Sequence, residues 1–172
     1  LVRTPYFLLL FIVVAAAMGS AIAATLGTMA VSDELTALDA MNVDRISYLV
    51  LPRVVALAFL TPLLTLVTDA VGVVGGGIVA QAQLDVSWPK YWDTVIEALR
   101  RPGELLPLPK DLYGGLVKSV WFGVLIAGVS CGTGLRARGG AEGVGRAVRN
   151  AVRDSVILVI VTGYFLDWAL YR

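Results

Sequence analysis

The stretch Tyr6–Arg45, YFLLLFIVVAAAMGSAIAATLGTMAVSDELTALDAMNVDR, joins a long apolar run directly to a short acidic segment. No charged residue occurs from Thr4 to Ser32, and a helix needs only about 20 apolar residues to cross a bilayer. Beyond Ser32, four carboxylates and one arginine stand among regularly spaced apolar side chains. The stretch therefore predicts a membrane-spanning helix followed by a short amphipathic helix outside the lipid.

The rest of the chain repeats the apolar pattern. Of its 172 residues, 58% are apolar and only 16% are charged, whereas about a quarter is usual in a soluble domain. Backbone exposed to lipid must satisfy its own hydrogen bonds, which favours helices. We therefore predict an all-α, polytopic membrane protein with a single domain over residues 1–172. Its four spans are expected near Tyr6–Leu26, Leu49–Ala80, Leu116–Leu135 and Ser155–Tyr171.

Composition also excludes several classes of function. The net charge of +1 gives no indication of nucleic-acid binding, and the absence of histidine excludes His-based catalysis and His-metal sites. A single cysteine, Cys131, provides no disulfide framework. No G-x-x-x-x-G-K-[ST] sequence occurs, so the chain lacks the phosphate-binding loop of an ATPase. We expect a non-catalytic protein with no metal and no cofactor.

The acidic segment has the features of a short helix near Ser32–Met41. Ser32 is a suitable N-cap, and Asp33 and Glu34 would lie in the first turn, where the helix dipole favours anions. Asn42 tolerates the left-handed conformation that ends a helix. Such a helix either links two spans as a solvated surface element or docks another protein.

Three polar or small residues inside the apolar segments are candidates for a substrate path. Gly19 and Ser20 belong to a run of small residues, which either lets helices pack closely or forms the wall of a cavity. Asp69 is the one carboxylate between Val54 and Leu84. It either marks a functional site within the membrane or simply reaches the far interface.

The middle of the chain predicts an interfacial helix. In SWPKYWDTVIEALRRPG (Ser87–Gly103), aromatic and aliphatic residues recur at helical spacing, and Trp and Tyr favour the membrane interface. Pro102 would end this helix. In the preceding span, Pro62 should introduce a kink, and the glycines Gly75–Gly77 should loosen the far end.

Charge distribution predicts the orientation of the chain. The most basic loop contains Arg136, Arg138, Arg146, Arg149 and Arg153, and such loops are typically cytoplasmic. With four spans, Val31–Arg45 falls on the same side, whereas Asp85–Lys118 lies outside.

Two long motifs resemble the MlaE/YrbE-type permease subunits of lipid-transporting ABC systems. The sequence SAIAATLGTMAVSDELTALDAMNVDRISYLVLPR (Ser20–Arg53) resembles the family signature AAIAAxLGTMxVxxEIDALxxMGxDPxxYLVxPR. The sequence GLRARGGAEGVGRA (Gly134–Ala147) resembles the family's motif before its last span. The resemblance extends over essentially the whole chain. It also implies that an N-terminal interfacial helix and a first span of the family are missing here.

The resemblance implies a function and a set of partners. The chain would be a permease subunit in a bacterial inner membrane, acting as a homodimer with a separate ABC ATPase and a periplasmic MCE-domain lipid-binding protein. Membrane lipid would be the substrate. The short acidic helix would be the cytoplasmic coupling helix that meets the ATPase through Asp33, Glu34, Leu35, Leu38 and Met41. The alternative is a secondary carrier or channel in which Asp69 is the ion or proton site.

The chain also departs from the family pattern at several positions. Thr25 stands where the family often has an acidic residue, and Ala17 replaces an arginine in the same span. Asn42 replaces a glycine of the coupling helix, and Arg45 replaces a proline. These changes leave the first apolar segment wholly without charge.

Overall fold

The computed structural model describes residues 4–84, 87–99 and 110–171. Throughout these ranges the regular elements are helices and no strand occurs, which confirms the predicted all-α fold. The helices are α1 (Thr4–Val31), α2 (Glu34–Ala40), α3 (Leu51–Leu84), α4 (Trp88–Leu99), α5 (Lys110–Leu135) and α6 (Gly140–Tyr171). A single π-helical turn, Ile46–Val50, leads into α3.

Three helical stretches among the described residues are long and apolar enough to cross a membrane. They are Leu9–Val31, Ile46–Gln83 and Gly114–Leu135. The fourth predicted span, Ser155–Tyr171, forms the second half of α6, which is not among these three stretches, and this span stays a prediction. The first half of α6 carries arginines, so its apolar part is shorter than the other three stretches.

The chain divides into two compact units. The residues before Leu60 and after Ser119 form the first unit, and Leu60–Ser119 forms the second. Because α3 and α5 each contribute to both units, the packing of each unit is described separately.

The core of the first unit joins α1, α5 and α6. Phe11 of α1 and Phe122 of α5 have ring centroids 4.7 Å apart, and Val159 of α6 is buried in the same cluster. Tilted aromatic pairs of this kind add about 0.5–1.5 kcal/mol beyond the area that they bury. Small residues on α1, including the buried Ala15, let the helices approach closely. The apolar half of α6 is therefore part of the same core as the two spans.

A second apolar cluster fixes the end of this unit. Leu26 of α1, Leu35 of α2, Leu49 of the π-helical turn and Cys131 of α5 are all buried together. Gly134 of α5 lies close against the backbone of Ala23 on α1. Three consecutive parts of the fold, α1, α2 and the π-helical turn, thus meet α5 within one small volume.

In the second unit, α4 folds back on the C-terminal end of α3. The Tyr91 hydroxyl donates a hydrogen bond of 2.7 Å to the Val73 carbonyl oxygen. The aromatic rings of Trp88 and Tyr91 lie directly over Gly77, where a Cβ atom would stand 2.8 Å from the Trp88 ring. The glycine run predicted to loosen this end instead makes room for the aromatic rings of α4.

One local prediction differs from the structure. The N-cap position of α2 is Asp33, with φ 60°, and Ser32 does not cap it because its hydroxyl donates back to the Thr28 carbonyl oxygen at 2.9 Å. Gly27–Val31 therefore belongs to the last turns of α1. The helix α3 continues through Pro62, and the kink expected there stays a prediction.

Candidate functional site

The helix α2 is anchored to the bundle by its apolar side. Leu35 is only 4% exposed, and Leu38 packs partly buried against the same cluster. Met41, by contrast, is 65% exposed, and Asp33 and Glu34 are also exposed. Of the five residues predicted to meet a partner, Leu35 thus faces the protein's own core. The outward surface is formed by the two carboxylates and Met41.

The C-terminal end of α2 is closed by a Schellman motif. Asn42 has φ 57°, as its sequence position predicts. Its amide donates to the Asp39 carbonyl oxygen at 2.9 Å, and the Val43 amide donates to the Leu38 carbonyl oxygen at 3.1 Å. These bonds satisfy carbonyl groups that the end of a helix would otherwise leave free.

The link from α2 to α3 is also held by side chains. Arg45 forms an ion pair with Asp39 of α2. The Asp44 carboxylate accepts the Ser47 hydroxyl at 2.7 Å and the amides of Ile46 and Ser47 at 3.2 Å. These bonds, with the Ser47 hydroxyl contributing most, lower the pKa of Asp44 below its ordinary value. The whole segment from α2 to α3 is therefore tied at both ends.

The structure places α2 and the basic loop at the same end of the first unit. At Gly27, near the end of α1, a Cβ atom would lie 3.2 Å from the side chain of Val144 on α6. It would also lie 3.4 Å from Ala137 in the α5–α6 connection. Since α2 follows directly after α1, the acidic and basic segments are neighbours in space.

Arginines of the basic loop line one cavity, which we call the basic pocket. It has a volume of about 320 Å³. Its lining residues come from the end of α5, the α5–α6 connection and the first turns of α6, and they are Thr133, Arg136, Ala137, Arg138, Gly143, Arg146, Ala147 and Asn150. Three of the five arginines of the basic loop, Arg136, Arg138 and Arg146, are thus brought to one cavity.

The shape of the α5–α6 connection depends on glycine. Gly139 and Gly140 have φ of 91° and 65°, a region that disfavours other residues. Gly143 packs so closely on the Arg138 carbonyl oxygen that a Cβ atom there would overlap it. This tight reversal returns the chain to α6 and brings Arg138 and Arg146 to the same cavity.

The lipid-path candidates of α1 lie in different surroundings. Gly19 is buried, and a Cβ atom there would lie 3.0 Å from the Ser130 hydroxyl oxygen and 3.9 Å from that of Ser155. The half-buried Ser20 bonds the Ala17 carbonyl oxygen at 3.0 Å. Gly19 therefore lies where three helices meet, a position that favours the packing interpretation.

Two buried hydroxyls at this crossing were not singled out from the sequence. Ser130 and Ser155 are 0% and 1% exposed, and neither hydroxyl has a hydrogen-bond partner among the described residues. One nitrogen of Arg53, Nη1, is likewise buried without such a partner. In the sequence, both serines are recognisable only as isolated polar residues within apolar helices. That they meet at one point depends on how the helices pack.

Asp69 lies within the membrane-spanning part of α3, in the second unit. Its side chain is partly exposed, and it forms no ion pair or hydrogen bond with the rest of the described chain. Its role, as a functional site within the membrane or as a residue at the far interface, stays a prediction.

Residues 1–169 match the family described as Permease MlaE. The chain is 37% identical to a probable ABC transporter permease protein of Rickettsia bellii over 94% of this chain and 59% of that protein. It is 34% identical to a probable ABC transporter permease protein of Synechocystis over 94% of this chain and 58% of that one. It is 37% identical to the chloroplastic protein TRIGALACTOSYLDIACYLGLYCEROL 1 of Arabidopsis thaliana over 91% of this chain and 42% of that protein. The chain thus spans about three-fifths of the two bacterial relatives.

Proposed function

Because this chain belongs to the MlaE permease family, we propose that it forms a membrane-embedded part of an ABC transporter permease subunit. The three membrane-spanning stretches and the relatives named as ABC transporter permeases support this role. In this role the chain provides a path through the membrane, and ATP hydrolysis takes place on a separate protein.

We further propose that the transported substrate is a lipid. The name of the Arabidopsis relative is that of a glycolipid, trigalactosyldiacylglycerol, and this supports a lipid substrate here. The resemblance to MlaE/YrbE permeases also supports a homodimer in a bacterial inner membrane. The same resemblance supports a periplasmic MCE-domain protein as the partner that exchanges lipid with the permease.

The coupling role is supported chiefly by the way in which α2 is held against the helix bundle. Its inner face is fixed by Leu35 in the cluster shared by α1 and α5, and its outer face presents Met41 and exposed carboxylates. A helix fixed in this way moves with the bundle instead of sliding over it. When a bound ATPase surface moves, α2 can therefore transmit the movement to α1 and α5.

The way in which α2 is held determines which residue should be substituted to test coupling. Leu38→Asp would introduce a charge into the protein's own core, so its effect would not report on a partner. Met41→Asp places the charge on the exposed side, where burial of the methionine against a partner would contribute about 1.5–3 kcal/mol. Met41→Leu preserves the apolar surface and is the matched control.

The experiment is co-purification of the ATPase subunit with the permease at equal membrane expression. We expect Met41→Asp to reduce the recovered ATPase at least about tenfold, which corresponds to 1.4 kcal/mol, and Met41→Leu to retain it. Asp39→Asn, which removes only the ion pair with Arg45, should have a much smaller effect. If Met41→Asp recovers as much ATPase as the unmodified chain, α2 is only a linker and the coupling role is wrong.

A further inference from the structure

The basic pocket concentrates positive charge in a small volume. Three arginines are among its lining residues, and neither Arg136 nor Arg138 forms an ion pair or side-chain hydrogen bond with any other described residue. Arg146 is 2.7 Å from Glu142, but both side chains are largely exposed, and such pairs contribute little. From this arrangement we infer that the pocket binds the phosphate group of an anionic phospholipid in the surrounding leaflet.

The chemistry of the lining residues suits a phosphate. Guanidinium groups form paired hydrogen bonds with phosphate oxygens, and these charge-assisted bonds are about twice as strong as neutral ones. Asn150 adds an amide as a neutral donor, whereas the Thr133 hydroxyl donates to the carbonyl oxygens of Val129 and Ser130 in its own helix. The cavity of about 320 Å³ has the volume of roughly ten liquid waters, which accommodates a phosphate with a glycerol attached.

The position of the pocket at the end of α5 favours a lipid as its occupant. Thr133 belongs to the membrane-spanning stretch Gly114–Leu135, and Arg136 follows directly after that stretch. The pocket therefore begins where α5 leaves the hydrocarbon layer, which is the depth of the lipid phosphates. Basic pockets between membrane helices at this depth are suited to anionic headgroups. Acyl chains of the same lipid would lie along the exposed apolar side of the span.

The alternative occupant, an acidic side chain of an ATPase subunit, would have to reach this depth. Ala137, Gly143 and Ala147 are buried and form the floor of the pocket. An open pocket at the edge of the lipid, with exposed arginines, accepts a headgroup without any rearrangement. Lipid binding here does not depend on the proposed transport function, since the lipid is resident in the site and need not be transported.

The test is native mass spectrometry of the full chain in detergent with added phosphatidylglycerol or phosphatidylcholine of identical acyl chains. We expect phosphatidylglycerol to bind at least about tenfold more tightly, because the choline ammonium offsets the phosphate charge. The double variant Arg136→Gln/Arg138→Gln should lose this preference. The matched control, Arg149→Gln/Arg153→Gln, removes the same charge from exposed positions of α6 outside the pocket and should keep it.

Two further measurements distinguish loss of the site from unfolding of the variant and from binding of a soluble anion. Arg136→Lys/Arg138→Lys keeps the charge and should retain part of the preference, and circular dichroism should show equal helix content in all variants. Replacing chloride by inorganic phosphate at equal ionic strength should leave lipid binding nearly unchanged. The proposal is overturned if the Gln variant binds phosphatidylglycerol like the unmodified chain, or if the control loses as much.

It is equally overturned if inorganic phosphate displaces the lipid completely, since the site would then belong to a soluble anion. Loss of the ATPase subunit from the Gln variant with unchanged lipid binding would assign the pocket to a protein partner instead.

Discussion

Gly134 of α5 lies directly against Leu26 of α1, so that a Cβ atom at position 134 would stand 2.8 Å from the Leu26 Cβ. It would also stand 3.0 Å from the Ala23 carbonyl oxygen, and neither atom can move without its backbone. We expect Gly134→Ala to separate the two helices and destabilise the protein by about 1–3 kcal/mol. Gly132→Ala, two residues away with no atom within 4 Å of its added methyl group, is the control. Thermal unfolding in detergent compares the two, and equal midpoints would contradict the close packing described here.

A second prediction concerns the anchoring of α2. Leu35→Ala removes a buried side chain from the cluster with Leu26 and Leu49, and substitutions of this kind cost about 2–5 kcal/mol. The loss should appear as faster amide hydrogen exchange within α2. Met41→Ala removes a comparable side chain from the exposed side and should leave exchange nearly unchanged. Equal protection of α2 in both variants would show that Leu35 does not hold the helix.

The hydrogen bonds of Asp44 predict that the stability of the turn before α3 depends on pH. Since the folded state lowers the pKa of Asp44, its hydrogen bonds stabilise the π-helical turn Ile46–Val50 at pH values above the ordinary aspartate pKa of about 3.9. That contribution is lost as the pH falls through the lowered pKa. Hydrogen-exchange protection of the Ile46 and Ser47 amides, corrected for intrinsic rates, should therefore be constant from neutral pH to about pH 5 and fall in stronger acid. Asp44→Asn should remove this dependence, and an identical acid response in that variant would contradict this role of Asp44.

Asp69 separates the proposed transporter from a proton-driven carrier. We expect Asp69→Asn to reduce lipid transport by less than about tenfold, because coupling to ATP requires no titrating group within the membrane, whereas a proton-driven carrier needs one. Transport into proteoliposomes with and without a pH gradient provides the measurement. Complete loss of transport at normal protein levels, together with dependence on the gradient, would favour the carrier.

The orientation of the chain is testable by cysteine labelling. In a Cys131→Ser background, Ala141→Cys lies on the exposed first turn of α6, and Glu97→Cys is exposed on α4. We predict that an impermeant reagent added to intact cells modifies the cysteine at position 97 and not the one at 141. The reverse pattern would place the α5–α6 connection outside, together with the neighbouring helix α2.

The sequence predicts the helices well because apolar length and helical spacing are local properties. The acidic segment forms a helix ended by Asn42, and the interfacial aromatics form α4, as expected. The direction in which Leu35 points could not be predicted in the same way. An apolar stripe on a helix indicates only that this side is buried. Whether it is buried against a partner protein or against the protein's own α1 and α5 depends on packing between distant parts of the chain.

The basic pocket, too, could be predicted only in part from the sequence. The arginines at 136, 138 and 146 are recognisable as a basic loop, but their convergence on one cavity depends on the positive φ angles of Gly139 and Gly140. Thr133 and Asn150 join them only after the reversal brings α6 back along α5. Likewise, Ser130 and Ser155 are 25 positions apart and meet beside Gly19 through the relative register of three helices, which no local pattern specifies.

The continuity of α6 has a mechanical consequence. At about 1.5 Å per residue, its 32 residues extend for roughly 48 Å, whereas the hydrocarbon layer is only about 30 Å thick. Arg146 near its start and Val159 in the bundle core therefore belong to one continuous, stiff helix. A tilt imposed on the arginine end would displace Val159 against Phe11 and Phe122.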